Sequence, residues 1–282
     1  MSIELPIKRL LYEINTPMEL PFNHHFPTIT LRGAFGYSLL QIVARDEALN
    51  RQEQVALCKH LFFPNDISDK SIHTNTARPF VMRGYYTRPD KKSFILEMLL
   101  FGDVTTAEAL IDHVVENMCT MGLGDNDGIC NYIKLGSETV EPERPNLDSG
   151  LCIINYQTPT RIKHNRIYLK DEIPFYYLFA RFADRLSEIV NVYTSNDFNI
   201  DVRELKNSAK NIGMVVNESD YCELGRRSTR TGDWCSLSGF VGSITYTGNL
   251  KPFEKVLSYL PWINVGNSTA FGCGWCTLEY SK

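Results

Sequence analysis

The segment Glu141-Pro-Glu-Arg-Pro-Asn-Leu-Asp-Ser-Gly150 constrains the fold of this chain more than any other stretch. Its prolines fix φ and remove amide donors, its glycine loosens the backbone, and its charges resist burial, so it reads as a linker. It divides 282 residues into halves of ordinary domain size. We place the boundary there, with one domain over residues 1–146 and a second over 147–282. On both sides the apolar pattern switches between period two and helical spacing in the same order.

In the first half an extended segment (residues 5–15) leads through the turn-rich Pro21-Phe-Asn-His-His-Phe-Pro27 to an apolar-periodic helix near 33–46, with Leu39, Leu40 and Val43 on its apolar side. Residues 52–61 read as a second short helix and 64–77 as a polar loop. Phe80 to Arg83 and Ser93 to Phe101 read as strands. A helix follows over about 104–121, with Thr105 or Thr106 placed to cap it and Gly122 placed to end it, and then a strand from Ile129 to Leu135. Strand-helix-strand-strand-helix-strand is the order of a ferredoxin-like unit.

The second half repeats that order. Cys152 to Gln157 and Arg161 to Leu169 form a candidate hairpin or paired strands. Pro174 sits at the first turn of an amphipathic helix reaching about Tyr193, with Phe175, Leu178, Phe182, Leu186 and Ile189 at helical spacing. Ser238 to Tyr246 alternates like a strand, Asn249 to Leu260 reads as a helix, and Trp275 to Tyr280 is a last strand. The expected class is therefore α+β, two tandem ferredoxin-like domains with antiparallel sheets and helices on one face. The repeat is one of pattern, without visible sequence identity.

A hydrophobic content of 43% supports a substantial core, and no run approaches the ~18 apolar residues of a membrane span. The start, Met-Ser-Ile-Glu-Leu-Pro, lacks a secretory layout, so a cytoplasmic protein is expected. Eight cysteines (58, 119, 130, 152, 222, 235, 273 and 276) are too sparse for a disulfide scaffold. Only Cys273 and Cys276 form a Cys-x-x-Cys, no second pair completes a zinc site, and a strand would point residues three apart to opposite faces. The net charge of −4 argues against unspecific nucleic-acid affinity, but it is uneven: residues 1–150 carry −6 and residues 151–282 carry +2. An anionic ligand would meet the weaker opposing field in the second half.

Three features there suit an anion. Gly266-Asn-Ser-Thr-Ala-Phe-Gly-Cys-Gly274 is glycine-rich. Its glycines Gly266, Gly272 and Gly274 permit positive φ and close backbone approach, and Asn267, Ser268 and Thr269 add side-chain donors. The alternative is a tight turn into a final strand. Arg226, Arg227 and Arg230 suit bidentate phosphate contacts, or make a solvated basic loop. Arg161 and Lys163 share one side of a strand by alternation, facing a ligand or water.

The order of these segments resembles the CRISPR repeat-processing endoribonucleases of the RAMP superfamily. Thr158-Pro-Thr-Arg-Ile-Lys163 before the arginine-bearing helix Pro174 to Leu186 is similar to that family's Thr-Pro-Leu-Arg-Leu-Lys strand and its helix. Arg226-Arg-Ser-Thr-Arg230 and Leu237-Ser-Gly-Phe-Val-Gly242 are similar to Arg-Tyr-Ser-Ser-Arg followed by Gly-Gly-Phe-Val-Gly. The glycine loop is similar to Val-Gly-Lys-x-Thr-x-Phe-Gly-x-Gly. Leu31-Arg-Gly-Ala-Phe-Gly36, Arg78 to Met82, Leu100-Phe-Gly102 and Gly122-Leu-Gly124 look like N-terminal landmarks, so the resemblance spans nearly the whole chain. Asn267 stands where the family often has lysine, and Arg227 where it has tyrosine.

The resemblance implies RAMP/RRM-like domains and CRISPR repeat RNA as the partner. It implies metal-independent cleavage with no cofactor, in which a 2′-hydroxyl attacks the adjacent phosphate and leaves a cyclic phosphate. A non-cleaving RAMP subunit that holds repeat or guide RNA is the alternative. Effector-complex subunits are further candidate partners, the protein being a monomer or homodimer. Cleavage needs a base, an acid and a cation for the phosphate. His24 and His25, just before the first helix, lie where family members keep a general base. Tyr37 is a candidate acid or hydrogen-bond donor, with core packing as its other reading. His60, His73 and His113 read as structural or incidental, and His164 as a turn residue beside Arg161, Lys163 and Arg166.

Overall fold

Alternation decides the first strand. In β1 (Ile7–Asn15) the side chains of Ile7, Leu10, Tyr12 and Ile14 are buried and those between them are half-exposed. The computed structural model describes residues 3–18, 26–48, 57, 61, 76–123, 128–227 and 232–280. After β1 come α1 (Thr28–Ala48), β2 (Phe80–Tyr86), β3 (Ser93–Phe101), a 3-10 turn (Gly102–Ala107), α2 (Glu108–Met121) and β4 (Asn131–Val140). The strands form one antiparallel sheet in the order β2-β3-β1-β4. This is the ferredoxin-like arrangement. The compact unit comprises Leu5–Val140 with Val192–Thr194.

Two expectations in this half need correction. The first helix begins at Thr28 instead of near residue 33, because the Pro27 carbonyl accepts the N–H groups of Thr30 and Leu31 at 3.1 and 3.2 Å. The buried Thr28 hydroxyl is occupied by the Gly84 N–H at 2.7 Å. Neither Thr105 nor Thr106 caps α2. Their hydroxyls donate back to the carbonyls of Gly102 and Asp103 inside the 3-10 turn, at 2.8 and 2.9 Å, and Ala107 takes the cap position. Gly122 does end the helix, with φ 85°. The expected helix at 52–61 and loop at 64–77 lie outside the described residues apart from Leu57, Leu61, Thr76 and Ala77.

All nine residues of β3 are buried, Glu97 among them at 3% exposure. The Glu97 carboxylate accepts from Arg9 Nε at 2.6 Å and from Arg83 Nη1 at 3.2 Å, and Arg9 reaches on to Glu138 at 3.0 Å. One row of charge thus crosses all four strands, as burial of a carboxylate requires. Toward α2, Tyr12 donates to Asp112 at 2.6 Å, and Lys134 bridges Glu108 and Asp112 at 2.8 and 2.6 Å. Lys134, then Lys8, pull the Glu108 carboxyl down to about 2. Ser38 ties α1 to α2 by donating to the Val114 carbonyl at 2.9 Å.

The second unit comprises Glu141–Asn191 and Ser195–Lys282 with Met1–Glu4. Its elements are β5 (Leu151–Thr160), β6 (Lys163–His164), β7 (Ile167–Tyr168), α3 (Phe175–Tyr193), α4 (Val202–Ala209), β8 (Gly213–Cys222), β9 (Gly225–Arg227), β10 (Trp234–Ser236) and β11 (Gly239–Thr247). A 3-10 turn (Lys251–Phe253), α5 (Glu254–Leu257), α6 (Leu260–Ile263), a further 3-10 turn (Thr269–Phe271) and β12 (Cys276–Glu279) complete it. The antiparallel sheet runs β12-β5-β11-β8, the same relative order as in the first unit.

Aromatic packing fixes α3 on this sheet. Phe175 and Phe179 meet Phe253 at centroid distances of 5.1 and 4.8 Å, and Phe175 meets Tyr246 at 5.3 Å. The Tyr246 hydroxyl donates to the Ile173 carbonyl at 2.6 Å, which leaves Tyr156 to donate to Tyr246 at 2.8 Å. The linker is not loose. Buried Glu254 accepts from the Leu147 N–H and from Arg144 Nε, both at 2.9 Å.

Residues 161–169 do not pair with β5. They fold back as β6 and β7 around Asn165 and Arg166, whose positive φ values of 46° and 67° make a tight two-residue turn. The expected helix at 249–260 is broken into short pieces: Pro252 opens the first, and Pro261, opening α6, lacks the N–H that a continuous helix would direct at the Leu257 carbonyl. No helix among the described residues is long and apolar enough to cross a membrane. The seven described cysteines are free.

Candidate nucleic-acid interface

The glycine loop is built on the end of β5. Gly266 (φ 85°), Ser268 (φ 63°), Gly272 (φ 80°) and Gly274 (φ 77°) all have left-handed backbones. A Cβ on Gly274 would lie 1.8 Å from the Val265 carbonyl oxygen, and one on Gly266 would lie 2.4 Å from that of Arg161. Only glycine allows either approach. The Gly274 N–H donates to the Pro159 carbonyl at 3.1 Å, and the Asn267 N–H donates to the Arg161 carbonyl at 3.0 Å. Thr158 serves both sides of the turn, donating to the Gly272 carbonyl at 2.7 Å and accepting the Trp275 N–H at 2.9 Å. Asn264, fully buried, donates to the Cys273 carbonyl at 3.0 Å.

Arg161 is the tie. It lies just past β5 and is 7% exposed. Its Nε donates to the Ser238 carbonyl at 3.0 Å and its Nη1 to Ser268 Oγ at 2.8 Å. Its guanidinium also stands 4.4 Å from the centre of the Tyr168 ring, where Lys163 Nζ arrives at 4.6 Å. The expected alternation on a strand face is therefore corrected: the two cations converge on one ring because the chain leaves β5 at Thr160 and turns back.

Because Ser268 Oγ accepts from Arg161, its own proton can point to a further acceptor. The N–H groups of Ser268, Thr269 and Ala270 make no hydrogen bond among the described residues, whereas those of Phe271 and Gly272 close the 3-10 turn. Asn267 is exposed, and Gly266 and Ser268 are half-buried. Gly272 and Gly274 are buried and shape the loop from beneath. Arg226 stacks its guanidinium 4.3 Å from the centre of the Phe271 ring, with its buried Nε lacking a partner among the described residues. Arg227 is exposed and its Nε closes the hairpin onto the Gly232 carbonyl at 3.0 Å. Donors, one oriented hydroxyl and two arginines thus collect at one loop, the composition of an anion site.

Beneath it the two cysteines are buried. Burial pushes the Cys273 thiol up to about 12 despite nearby Arg161. Cys276 Sγ lies 3.8 Å from the Thr160 hydroxyl and 3.5 Å from the Gly274 carbonyl oxygen. Among the described residues, no group of three or more His, Cys, Asp or Glu is placed to hold a metal ion.

His24, His25 and Arg230 lie outside the described residues, as do His60 and His73. Tyr37 projects from α1 and is 60% exposed, so its core-packing reading is corrected. His113 is an exposed helix residue 3.6 Å from Glu116. His164 packs 4.2 Å from the Tyr177 ring and belongs to the β6–β7 turn region. The sequence reading missed Tyr168, Phe271 and the acceptor Ser238. An aromatic residue between Arg166 and Lys170 is the available signal for the first, and an aromatic residue inside the glycine-rich loop for the second.

The family model for CRISPR-associated endoribonuclease Cas6 matches residues 154–276, and a model described as an N-terminal domain matches residues 5–154. No curated protein matches in sequence. Among solved structures, the product complex of Cas6 (TTHB231) shares 13% identity at a TM-score of 0.64, covering 97% of this chain and 99% of that one. The Thermus thermophilus Cas6 of the same designation, in another structure, gives 12% identity and a TM-score of 0.59, covering 98% and 99%. The product complex of Cas6 (TTHA0078) gives 16% and 0.55, covering 97% and 100%. At such identities these likenesses speak for the fold.

Proposed function

We propose that this chain is a member of the CRISPR-associated endoribonuclease Cas6 family, whose model matches residues 154–276, and that it binds CRISPR repeat RNA at the glycine loop and cleaves it to mature guide RNA. The observation that carries the reading is the tie between Arg161 and Ser268. It holds the loop in a shape where the Ser268 hydroxyl, three consecutive amides and Arg226 stand together. A phosphate seated there would gain charge-assisted hydrogen bonds. Arg161 shapes the seat, Lys163, Arg227 and Arg230 add charge along the backbone path, and Asn267 supplies an amide.

Cleavage proceeds by attack of a ribose 2′-hydroxyl on the adjacent phosphorus. The O2′–P bond forms, the P–O5′ bond breaks, and the products are a 2′,3′-cyclic phosphate and a 5′-hydroxyl. His24 or His25 takes the 2′ proton, and Tyr37 donates a proton or hydrogen bond to the leaving oxygen. The reaction needs no metal. The two domains are residues 1–146 and 147–282, the protein acts as a monomer or homodimer in the cytoplasm, and the product passes to effector subunits.

The test is incubation with the repeat RNA of the protein's own genome in EDTA. Specific scission with a cyclic-phosphate end is expected, together with its loss in a His24→Ala, His25→Ala double variant. Tight binding with no scission would overturn the nuclease reading in favour of a subunit that only holds RNA. Unchanged cleavage by the double variant would overturn the assignment of the base.

A further inference from the structure

Trp234 is 72% exposed, the most exposed of the large apolar side chains in this unit together with Ile167. It is not loosely attached. Trp234 pairs across the β9–β10 hairpin with Arg227 and rests against Gly225. A Cβ on Gly225 would come within 2.3, 2.6 and 2.9 Å of indole Cζ2, Cε2 and Nε1. The missing side chain is therefore the seat of the ring. One side of the indole is held against the strand, and much of the remainder faces solvent.

The surroundings say what the open surface would take. Cys235, the next residue, pairs with Arg226, whose guanidinium covers Phe271 in the glycine loop. By strand alternation Trp234 shares one face of the hairpin with Arg227 and Gly225, whereas Arg226 and Cys235 project from the other. Arg227 lies directly opposite, and the acidic residues nearby, Glu223 and Asp233, are each a single charge on the flanks. A held, open aromatic surface beside a cation that can take a phosphate is the layout by which proteins grip single-stranded nucleic acid.

We propose that Trp234 is a stacking platform for one unpaired base of the bound RNA, next to a phosphate taken by Arg227. The inference rests on the RNA reading given above and adds a specific contact to it. Stacking on one face is tolerant of base identity, so this contact fixes the path and register of the strand.

The test scans single abasic substitutions across the unpaired nucleotides of the repeat RNA, with wild type, Trp234→Ala and Trp234→Phe. One position is expected to weaken wild-type binding about 5- to 100-fold and to cost Trp234→Ala nothing further, while Trp234→Phe keeps most of the effect. Tryptophan emission should fall on RNA addition in the wild type and fall much less in Trp234→Phe. Gly225→Val, which leaves the indole no seat, should behave as Trp234→Ala. If the wild type binds repeat RNA and Trp234→Ala matches it at every abasic position, the platform is overturned and the glycine-loop reading stands. A uniform loss independent of the base overturns it as well, as does an effect of Trp234→Ala on self-association alone. A wild type that binds no repeat RNA sinks the RNA reading first and this contact with it.

Discussion

Arg161 holds Ser268 by its side chain, Nη1 to Oγ at 2.8 Å, and Asn267 by its backbone, with its carbonyl oxygen accepting that N–H at 3.0 Å. One residue therefore sets two consecutive positions of the loop. Arg161→Ala should cost about 1–3 kcal/mol in urea unfolding through lost hydrogen bonds of a charged group and should weaken repeat-RNA binding as well. Arg161→Lys should recover less than half of either, because a point ammonium cannot serve Ser238 and Ser268 with a planar fork. Unchanged stability in Arg161→Ala would refute the structural part of this role.

Gly274→Ala combines a strained φ with a Cβ 1.8 Å from the Val265 carbonyl oxygen. A loss of about 3 kcal/mol or more is expected. Gly232→Ala makes a control, since its φ is 74° but nothing stands within 4 Å of the added carbon. There only the backbone term applies, about 1 kcal/mol. Equal losses in the two variants, measured by denaturant melts, would show that the close approach contributes nothing.

Salt dependence separates phosphate contacts from shape. Each of Arg226→Ala and Arg227→Ala should lower the slope of log affinity against log salt by about 0.7 for a single-stranded contact. Asn267→Lys should raise it by a similar amount, because that position is exposed at the loop mouth. Binding titrations between about 50 and 200 mM salt decide it. Slopes that do not move would remove these residues from the RNA path.

Acid should reach the first unit through Glu108. Hydrogen bonds from Lys134 and Lys8 hold its folded carboxyl at about 2, below the ordinary 4.5. A folded pKa below the unfolded one means the contribution is complete above about 4.5 and disappears as pH falls toward 2. Urea midpoints at stepped pH should show this loss in the wild type and a smaller one in Glu108→Gln. The same acid dependence in both would place its origin elsewhere.

The first sheet and three of the four strands of the second are legible in the sequence, because alternation survives in β1, an apolar run marks β3, and helical spacing marks α2 and α3. What escaped it was set at long range. Arg161 reads as an exposed strand cation, since its acceptors Ser238 and Ser268 are 77 and 107 residues away. The α4 helix and β8 went unassigned although Asp201 and Glu204 form a visible start signal: the Asp201 carboxylate accepts the Glu204 N–H at 2.9 Å. Glu97 interrupts an apolar run in the sequence and is the centre of a charge row in the fold, which its cross-strand partners alone reveal. Trp234 drew no notice because hydrophobicity says nothing about which aromatic residue will face water.

The glycine loop is tethered to Thr158, Pro159 and Arg161, more than a hundred residues upstream. During synthesis the ribosome delivers those anchors long before Gly266 to Gly274 emerge. The β5–β12 pairing spans the same distance along the chain, Tyr156 to Cys276, so loop and last strand carry the same loop-closure cost. A nascent chain thus carries Arg161 and Arg226 without the loop they organise until residues 266–279 have been made.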